Sequence, residues 1–499
     1  MSKKLLLVVI DAATPHVMCP AVRTGRLPVL QRLAAAGAMH EASTSIFPSI
    51  TPAATTTIIT GCYPAGHGIA GASWYEESRN EVVYYGDDFW VIAREGFGHF
   101  LRDFLVRLNG DRLKAPTLFQ TVERAGLRAA CLNYLVFKGD VRHEVDVPAL
   151  MSMLPGVSST EIVSGPSTLF LGDFLKTDSP RGRKLRHRGG VLHRFGMDDA
   201  STGTLLAELA AEGFPDFTVA YFADNDFRSH EVGPHAALPV IEAVDSALGT
   251  AFDAAGGLDR VLDTVCVVLT SDHGHCDVLA DRDRSVIHLD QALAELRQAT
   301  LAKPWQDEDE IMICPNMRAA QVYVQRPTPA VIERVVALAL ADPRVDQAIL
   351  RADHAGLPDG YLAVSARGRL EFRRAGNGAS VGRDDHGNNW HWSGEPAVLD
   401  LQVEGTRIGS DEYPNALERI AGVLDLEKSG DVWLTARPGC EFEVPGGAAH
   451  AGGGSHGALY RYDSLSPVIL AGAPDGVTLP KEMRSIDLAP LCRRVLGLP

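Results

Sequence analysis

Residues 48–71 read PSITPAATTTIITGCYPAGHGIAG, with threonines at 51, 55, 56, 57 and 60. Pro52 has the character of a first helical residue, and Gly61 that of a helix stop. The pattern predicts a helix over AATTTIIT with Thr51 as its N-cap. A hydroxyl there faces the positive end of the helix dipole, where an alkoxide or a bound anion is favoured. Threonine also caps helices with no further role. The three threonines at 55–57 fall inside the helix and are poorer candidates for chemistry.

Outward from this stretch the chain alternates between buried strands and helices. KKLLLVVIDA (3–12), DFTVAYFAD (216–224), DTVCVVLTSD (263–272) and SPVILAGAP (466–474) are short apolar runs rich in β-branched residues. LPVLQRLAAAGA (27–38), ALPVIEAVDSALGTAFDAAGG (237–257) and SIDLAPLCRRVLGL (485–498) have helical spacing. Strands apolar on both faces, separated by helices, predict an α/β fold with a doubly wound, mostly parallel sheet. Ligands in such folds sit at the carboxyl ends of the strands.

Two regions break the rhythm. Residues 75–210 hold Gly-rich loops and the basic run RGRKLRHR (181–188), and read as cap-like insertions. Such a run is ordinarily a solvated face. Residues 300–395 show a β-α-β-β pattern and predict a small inserted α+β subdomain, leaving 1–299 and 396–499 as the core.

The formal charge of −16 argues against a nucleic-acid scaffold or an anionic membrane as partner. The cysteines at 19, 62, 131, 266, 276, 314, 440 and 492 contain no C-x-x-C pair and read as reduced core thiols. The apolar run at 5–10 ends at Asp11 and is too short for a signal peptide. No stretch approaches the roughly 20 apolar residues of a membrane span, so a cytoplasmic protein is expected.

Acid and histidine residues gather just after the predicted strands. Asp11 ends the first; Asp226 and His230 follow the second of the four runs; Asp272 and His273 follow the third; His456, in GGGSHGALYRYD, precedes the last. Each alone has an ordinary reading as a cap or a loop residue. Together they supply a mixed nitrogen and oxygen donor set at one sheet edge, suited to two zinc-like ions. Such a pair of ions calls for a nucleophile, and Thr51 is placed for it.

The motifs DA (11–12), TPAATTTIITGCYPAGHGI (51–69), DFRSHEVGP (226–234), SDHG (271–274) and GSHG (454–457) occur in an order that resembles the alkaline phosphatase superfamily. The resemblance is strongest to its type I phosphodiesterase/nucleotide pyrophosphatase branch, which includes phosphonoacetate hydrolases. It implies two divalent ions, zinc or alternatively manganese, and a covalent phospho-threonine intermediate. Asp11, Thr51, Asp272 and His273 match the ligands of the ion that activates the nucleophile. Asp226, His230 and His456 match those of the ion at the leaving oxygen, and Thr51 matches the nucleophile.

The chain departs from the family at Ala72, where an asparagine often grips a phosphoryl oxygen. Ser73, Asn133 and Lys138 are the candidate replacements. His386, in DDHGNNWHW (384–392), rivals His456 by its following glycine, and CYPAG (62–66) loosely resembles the sulfatase motif without its serine and arginine.

The resemblance implies hydrolysis of a small phosphodiester or pyrophosphate-type bond. The alternatives are carbon–phosphorus cleavage of a phosphonoacetate-like substrate, with Lys138, Arg228 or the 181–188 run on its carboxylate, phosphomonoester hydrolysis, and a metal-binding protein without turnover. A membrane-bound transferase is disfavoured by the missing membrane helices.

Overall fold

The computed structural model describes residues 3–85, 102–146, 161–301, 303–376, 382–443 and 449–499. The run KLLLVVI forms the central strand β1 (Lys4–Ile10). Its buried side chains divide by parity: Leu5, Leu7 and Val9 enter one core, and Leu6, Val8 and Ile10 the other. Alternate side chains of a strand point to opposite faces, so such a strand needs cover on both. The helices Leu488–Leu496 and Leu118–Arg124 supply it on the first face. On the second lie Pro15–Arg23, Pro28–Ala35, Asp199–Glu212 and Leu238–Ala254. Each fully buried Leu, Ile or Val contributes about 1.5–3 kcal/mol relative to exposure.

Seven further strands complete the sheet. They are β2 (Gly37–Thr44), β3 (Ala129–Leu132), β4 (Thr168–Leu171), β5 (Leu175–Lys176), β6 (Phe217–Phe222), β7 (Val265–Thr270) and β8 (Leu465–Ala471). Their spatial order is β2-β8-β7-β1-β6-β3-β4-β5. β1 runs parallel to β6 and β7, and β3 and β4 continue that direction. β8 runs against both β7 and β2, and β5 against β4. The sheet is therefore doubly wound and mostly parallel, as expected.

Register brings the chemistry together. Ile10 lies opposite Phe222, and Val9 opposite Thr270, so the ends of β1, β6 and β7 are level. Because β8 is antiparallel, its start lies at that same edge, with Thr44 of β2 opposite Leu465. The segments after β1, β2, β6 and β7 and the segment before β8 thus share one rim.

A second, ten-stranded sheet packs beside the first. The region read as a subdomain over 300–395 contributes most of it, including Ala319–Val324, Val345–Arg351 and Gly368–Arg374. The sheet also takes Val432–Ala436, which pairs with both Ala319–Val324 and Val345–Arg351 near its middle. That strand falls in the stretch 396–499, which the sequence assigns to the core as a whole. A short apolar run signals a buried strand without naming its sheet, and here the partners precede it by about a hundred residues.

The turn that opens this sheet reaches the shared rim. Arg318 and Asp463 form an ion pair with both side chains fully buried. The Arg318 guanidinium also donates to the carbonyls of Cys440 (2.9 Å) and Ala436 (3.2 Å), and its amide donates to the His456 carbonyl (2.9 Å). Among the described residues no helix is long and apolar enough to cross a membrane.

Removing one partner of a buried pair strands the other charge. Asp463→Ala is therefore expected to lower the unfolding free energy by about 3–5 kcal/mol. Glu41→Ala, which breaks a surface pair with Arg23, should cost under about 1 kcal/mol. Urea titration of both variants, after chelation of any bound metal, checks the difference. Equal midpoints would refute the anchoring role of the pair.

Candidate active site

The helix spans Thr51–Thr60, with Gly61 in the left-handed conformation at its end (φ 72°). It starts one residue earlier than the sequence suggests. Ile50 holds the extended N-cap backbone (φ −128°, ψ 134°), Thr51 is the first helical residue and Pro52 the second. Proline is tolerated at either position because first-turn N–H groups have no helical acceptor. Thr51 makes no capping bond, and its Oγ1 lies 3.0 Å from His273 Nε2. The other threonines bond back along the helix: Thr55 to the Thr51 carbonyl (2.6 Å), Thr56 to Pro52 (2.6 Å), Thr57 to Ala53 (3.0 Å) and Thr60 to Thr56 (2.7 Å). They are helix packing.

Around Thr51 the rim residues form two groups, each with one potential ligand atom per residue within 4.8 Å of the others: Asp11, Asp272 and His273, and then Asp226, His230, His275 and His456. In the first, His273 Nε2 lies 3.5 Å from both Asp11 Oδ1 and Asp272 Oδ2. His273 Nδ1 is 3.1 Å from the Gly274 carbonyl, which turns Nε2 toward the group as an acceptor. Asp272 Oδ1 accepts from the amides of Ala12 (3.3 Å) and His273 (3.0 Å), and the Tyr221 hydroxyl donates to Asp11 Oδ2.

In the second group, Asp226 lies 3.5 Å from Nε2 of both His230 and His456. Each ring is set from behind, His230 Nδ1 on the Gly454 carbonyl (2.9 Å) and His456 Nδ1 on the Ser49 carbonyl (2.7 Å). The groups adjoin, with the His273 and His456 rings stacked at 3.8 Å.

His275 was not singled out from the sequence. Its Nε2 lies 2.9 Å from Asp226 Oδ1, and its ring is fully buried. The available signal was its position two residues beyond His273, on the same loop after β7.

The donor set fits divalent cations. Asp11 Oδ1, Asp272 Oδ2 and His456 Nε2 are buried without a hydrogen-bond partner, a costly arrangement unless another positive centre completes it. Burial raises the Asp11 carboxyl well above its ordinary range, with the Asp272 charge adding to the effect, and burial raises Asp272 as well. Burial also pushes the His275 imidazole down to about 3, assisted by His230, and lowers His456 strongly. Each group is driven toward its neutral form, and a bound cation would reverse that preference for the carboxylates.

A cavity of about 320 Å³ opens over Thr51, Asp11, Asp226 and His456. Of the candidate replacements at Ala72, Asn133 lines it, but its amide is engaged: Nδ2 donates to the Gly196 carbonyl (3.0 Å) and Thr202 Oγ1 (2.9 Å), and Oδ1 accepts from the Gly172 amide (2.9 Å). Lys138 does not line it and donates to the carbonyls of Gly110 (2.9 Å) and Leu113 (2.6 Å). Ser73 is buried outside the lining, its amide 3.2 Å from Asn316 Oδ1. His386 lies in a different cleft with Lys481 and Arg484, and Cys62 is half-buried in the turn after the Thr51 helix.

The family model for type I phosphodiesterase/nucleotide pyrophosphatase matches residues 5–459. The chain belongs to that family, a class of phosphoester hydrolases. Its fold is similar to that of murine ectonucleotide pyrophosphatase/phosphodiesterase 5, at 14% identity and a TM-score of 0.59, covering 100% of this chain and 96% of that one. It is also similar to phosphonoacetate hydrolase from Sinorhizobium meliloti 1021 in complex with phosphonoformate, at 17% identity and 0.58, covering 99% and 96%. A shorter likeness, 30% identical over 91 residues, links it to 2,3-bisphosphoglycerate-independent phosphoglycerate mutase of Helicobacter hepaticus. That match covers 18% of this chain and 17% of the mutase.

If the two groups each take one ion, metal-stripped protein should bind two equivalents of zinc or manganese, with a rise in melting temperature that grows with ion concentration. Asp272→Ala and His456→Ala should each reduce the stoichiometry to one, as read by calorimetry or elemental analysis. Two ions retained in both variants would refute the assignment.

Proposed function

We propose that the protein is a metal-dependent phosphodiesterase acting through a covalent phospho-threonine at Thr51. The observation that carries this reading is the Thr51 hydroxyl 3.0 Å from His273 Nε2, at a helix start, beside buried carboxylate and imidazole atoms that lack partners. Asp11, Asp272, His273 and Thr51 would hold one divalent ion, and Asp226, His230 and His456 the other, with His275 against Asp226. Bound there, such ions would acidify the threonine hydroxyl and balance negative charge on the reacting oxygens.

The protein's own groups then have distinct tasks. The helix start directs its dipole at the position of an incoming phosphoryl group. Thr51 Oγ1, giving up its proton, attacks phosphorus as the bond to the departing ester oxygen breaks. That oxygen takes up a proton and leaves as an alcohol, and Thr51 holds the phosphoryl group with its remaining ester. Water then cleaves the Thr51 ester, so a diester and water become a monoester and an alcohol. Dividing the reaction at a covalent intermediate is nucleophilic catalysis. The carbonyls of Ser49, Gly454 and Gly274 fix three imidazoles in advance, so little reorganisation accompanies the step. A cytoplasmic setting accords with eight free cysteines.

Reconstituted with metal, the protein should hydrolyse bis-p-nitrophenyl phosphate faster than p-nitrophenyl phosphate. Thr51→Ala should lower kcat for the diester by on the order of 10⁴-fold or more, the scale of loss when a nucleophile is removed. Thr51→Ser should retain a substantial part of it. Wild-type activity in Thr51→Ala would refute the nucleophile, and a monoester preference would move the assignment to phosphomonoesterases.

A further inference from the structure

The cavity above Thr51 is polar at its floor and apolar along its walls. The floor carries Asp11, Thr51, Asp226 and His456, while Phe104, Leu108, Leu135, Leu171, Met197 and Phe227 form much of the wall. Among the described lining residues Arg194 is the only lysine or arginine. Its charge is already matched, since it pairs with Asp224 and its guanidinium lies over the Phe227 ring, 4.3 Å from the centroid.

The cations expected from sequence to hold a substrate carboxylate are placed elsewhere. Lys138 is tied to the two carbonyls described above, and Arg228 pairs with Glu231 at 2.6 Å. In the 181–188 run, Arg183 pairs with Glu208 (2.8 Å) and Glu212, and His187 lies 2.8 Å from Asp173. None of these residues lines the cavity.

The wall is also held in place. Arg194 and Phe195 both have positive φ (45° and 55°), a conformation that costs energy in residues other than glycine. It is sustained by the Phe195 amide on the Gly190 carbonyl (2.8 Å), the Asp173 amide on the Phe195 carbonyl (2.6 Å) and the Arg194–Asp224 pair. This turn delivers Met197 and Arg194 to the cavity, and Arg194 is thereby joined to the helix Asp224–Val232 that carries Asp226 and His230. Phe227, on that helix, is 39% exposed and presents an aromatic face at the mouth.

We infer that the substrate is a phosphodiester whose second ester group is neutral and apolar, an aryl or short alkyl body seated against Phe227, Met197 and Leu135, with Arg194 at the rim. The inference rests on the phosphodiesterase reading and narrows it. An apolar group gains from displacing water along this wall. A second anionic group, such as the carboxylate of a phosphonocarboxylate or the further phosphates of a nucleoside polyphosphate, would lose its hydration and meet, among the described lining residues, a single guanidinium already paired.

Two measurements on the metal-loaded protein separate this inference from the reading beneath it. In the first, kcat/KM is compared for methyl, phenyl and 4-carboxyphenyl esters of p-nitrophenyl phosphate, which share one leaving group. The phenyl ester should exceed the methyl ester by about tenfold, the factor given by 1.4 kcal/mol, and the 4-carboxyphenyl ester should fall below the phenyl ester. Phe227→Ala should lower the phenyl-to-methyl ratio at least threefold, and Met197→Glu should bring it to about one. Both side chains are at least partly exposed, and thermal melting confirms that the variants fold. In the second, calorimetry with Thr51→Ala compares phenylphosphonate, methylphosphonate and phosphonoacetate, with phenylphosphonate expected to bind tightest. Tighter binding of phenylphosphonate without turnover of any diester would support the apolar subsite and refute the phosphodiesterase reading. Equal kcat/KM for methyl and phenyl esters, preference for the carboxylated ester, or phosphonoacetate binding tightest would overturn the inference.

Discussion

Three buried carboxylates at one sheet rim impose the constraint on which the rest of the structure depends. Asp11, Asp226 and Asp272 are at most 9% exposed, with Asp11 and Asp272 in the group beside His273. Such a concentration of like charge away from water is unfavourable unless it is protonated or balanced by cations. The surroundings are nonetheless built to keep the arrangement. The Tyr221 hydroxyl donates to Asp11, backbone amides donate to Asp272, and His275 lies on Asp226. Each acid keeps a defined orientation, and on two of them an oxygen is left for a further partner. A fold that only needed stability would have little reason to hold that atom open.

The second sheet takes part in holding this rim. Its opening turn carries Asn316, Met317 and Arg318 toward the loops of the site. Asn316 Oδ1 accepts from the amides of Ala72 (2.7 Å) and Ser73 (3.2 Å), which fixes the segment after the Thr51 helix. Arg318 supports the His456 loop through its amide and through Asp463, and Met317, with φ of 58°, lines the cavity. On the approach to Thr51, Phe47 packs on Trp433 of the same sheet at 5.1 Å. Thr51 and His456 are thus held from both sheets, and the bond from His456 Nδ1 to the Ser49 carbonyl closes the circuit.

What could be read in the sequence follows from which forces are local. Strands β1, β6 and β7 declared themselves because each is a nearly unbroken apolar run, buried from Leu5 to Ile10 in β1 and throughout in β6 and β7, and level registers bring the segments that follow them to one edge. β3 and β4 are four residues long, and β2 is exposed at its start, so neither periodicity nor apolar length marked them. Val432–Ala436 lies in the stretch 396–499 that the sequence assigns to the core, and its place in the second sheet is set by long-range pairing that no local pattern records. At the site, the residues brought together lie on the segments that flank strand ends, after β1, β2, β6 and β7 and before β8. Arg194, Asn316 and Arg318 act through distant partners, Asp224, Ala72 and Asp463, and nothing near them in sequence announces those pairings.

The alanine at position 72 gains a physical meaning from its surroundings. Its amide is held by Asn316 and its carbonyl accepts from the Tyr85 amide at 2.7 Å, so the backbone here is fixed without help from the side chain. Its methyl group lines the cavity together with Leu108 and Leu171. An asparagine would add a donor, and also an amide to be hydrated or paired beside the apolar side chains of Leu108 and Leu171. A phosphomonoester carries up to two charges over three terminal oxygens, whereas a diester carries one over two. The smaller charge places a smaller demand on donors from the walls, which leaves the electrostatic work to the floor. The same substitution therefore removes a donor that a diester needs less and extends the apolar surface that a neutral ester group can use.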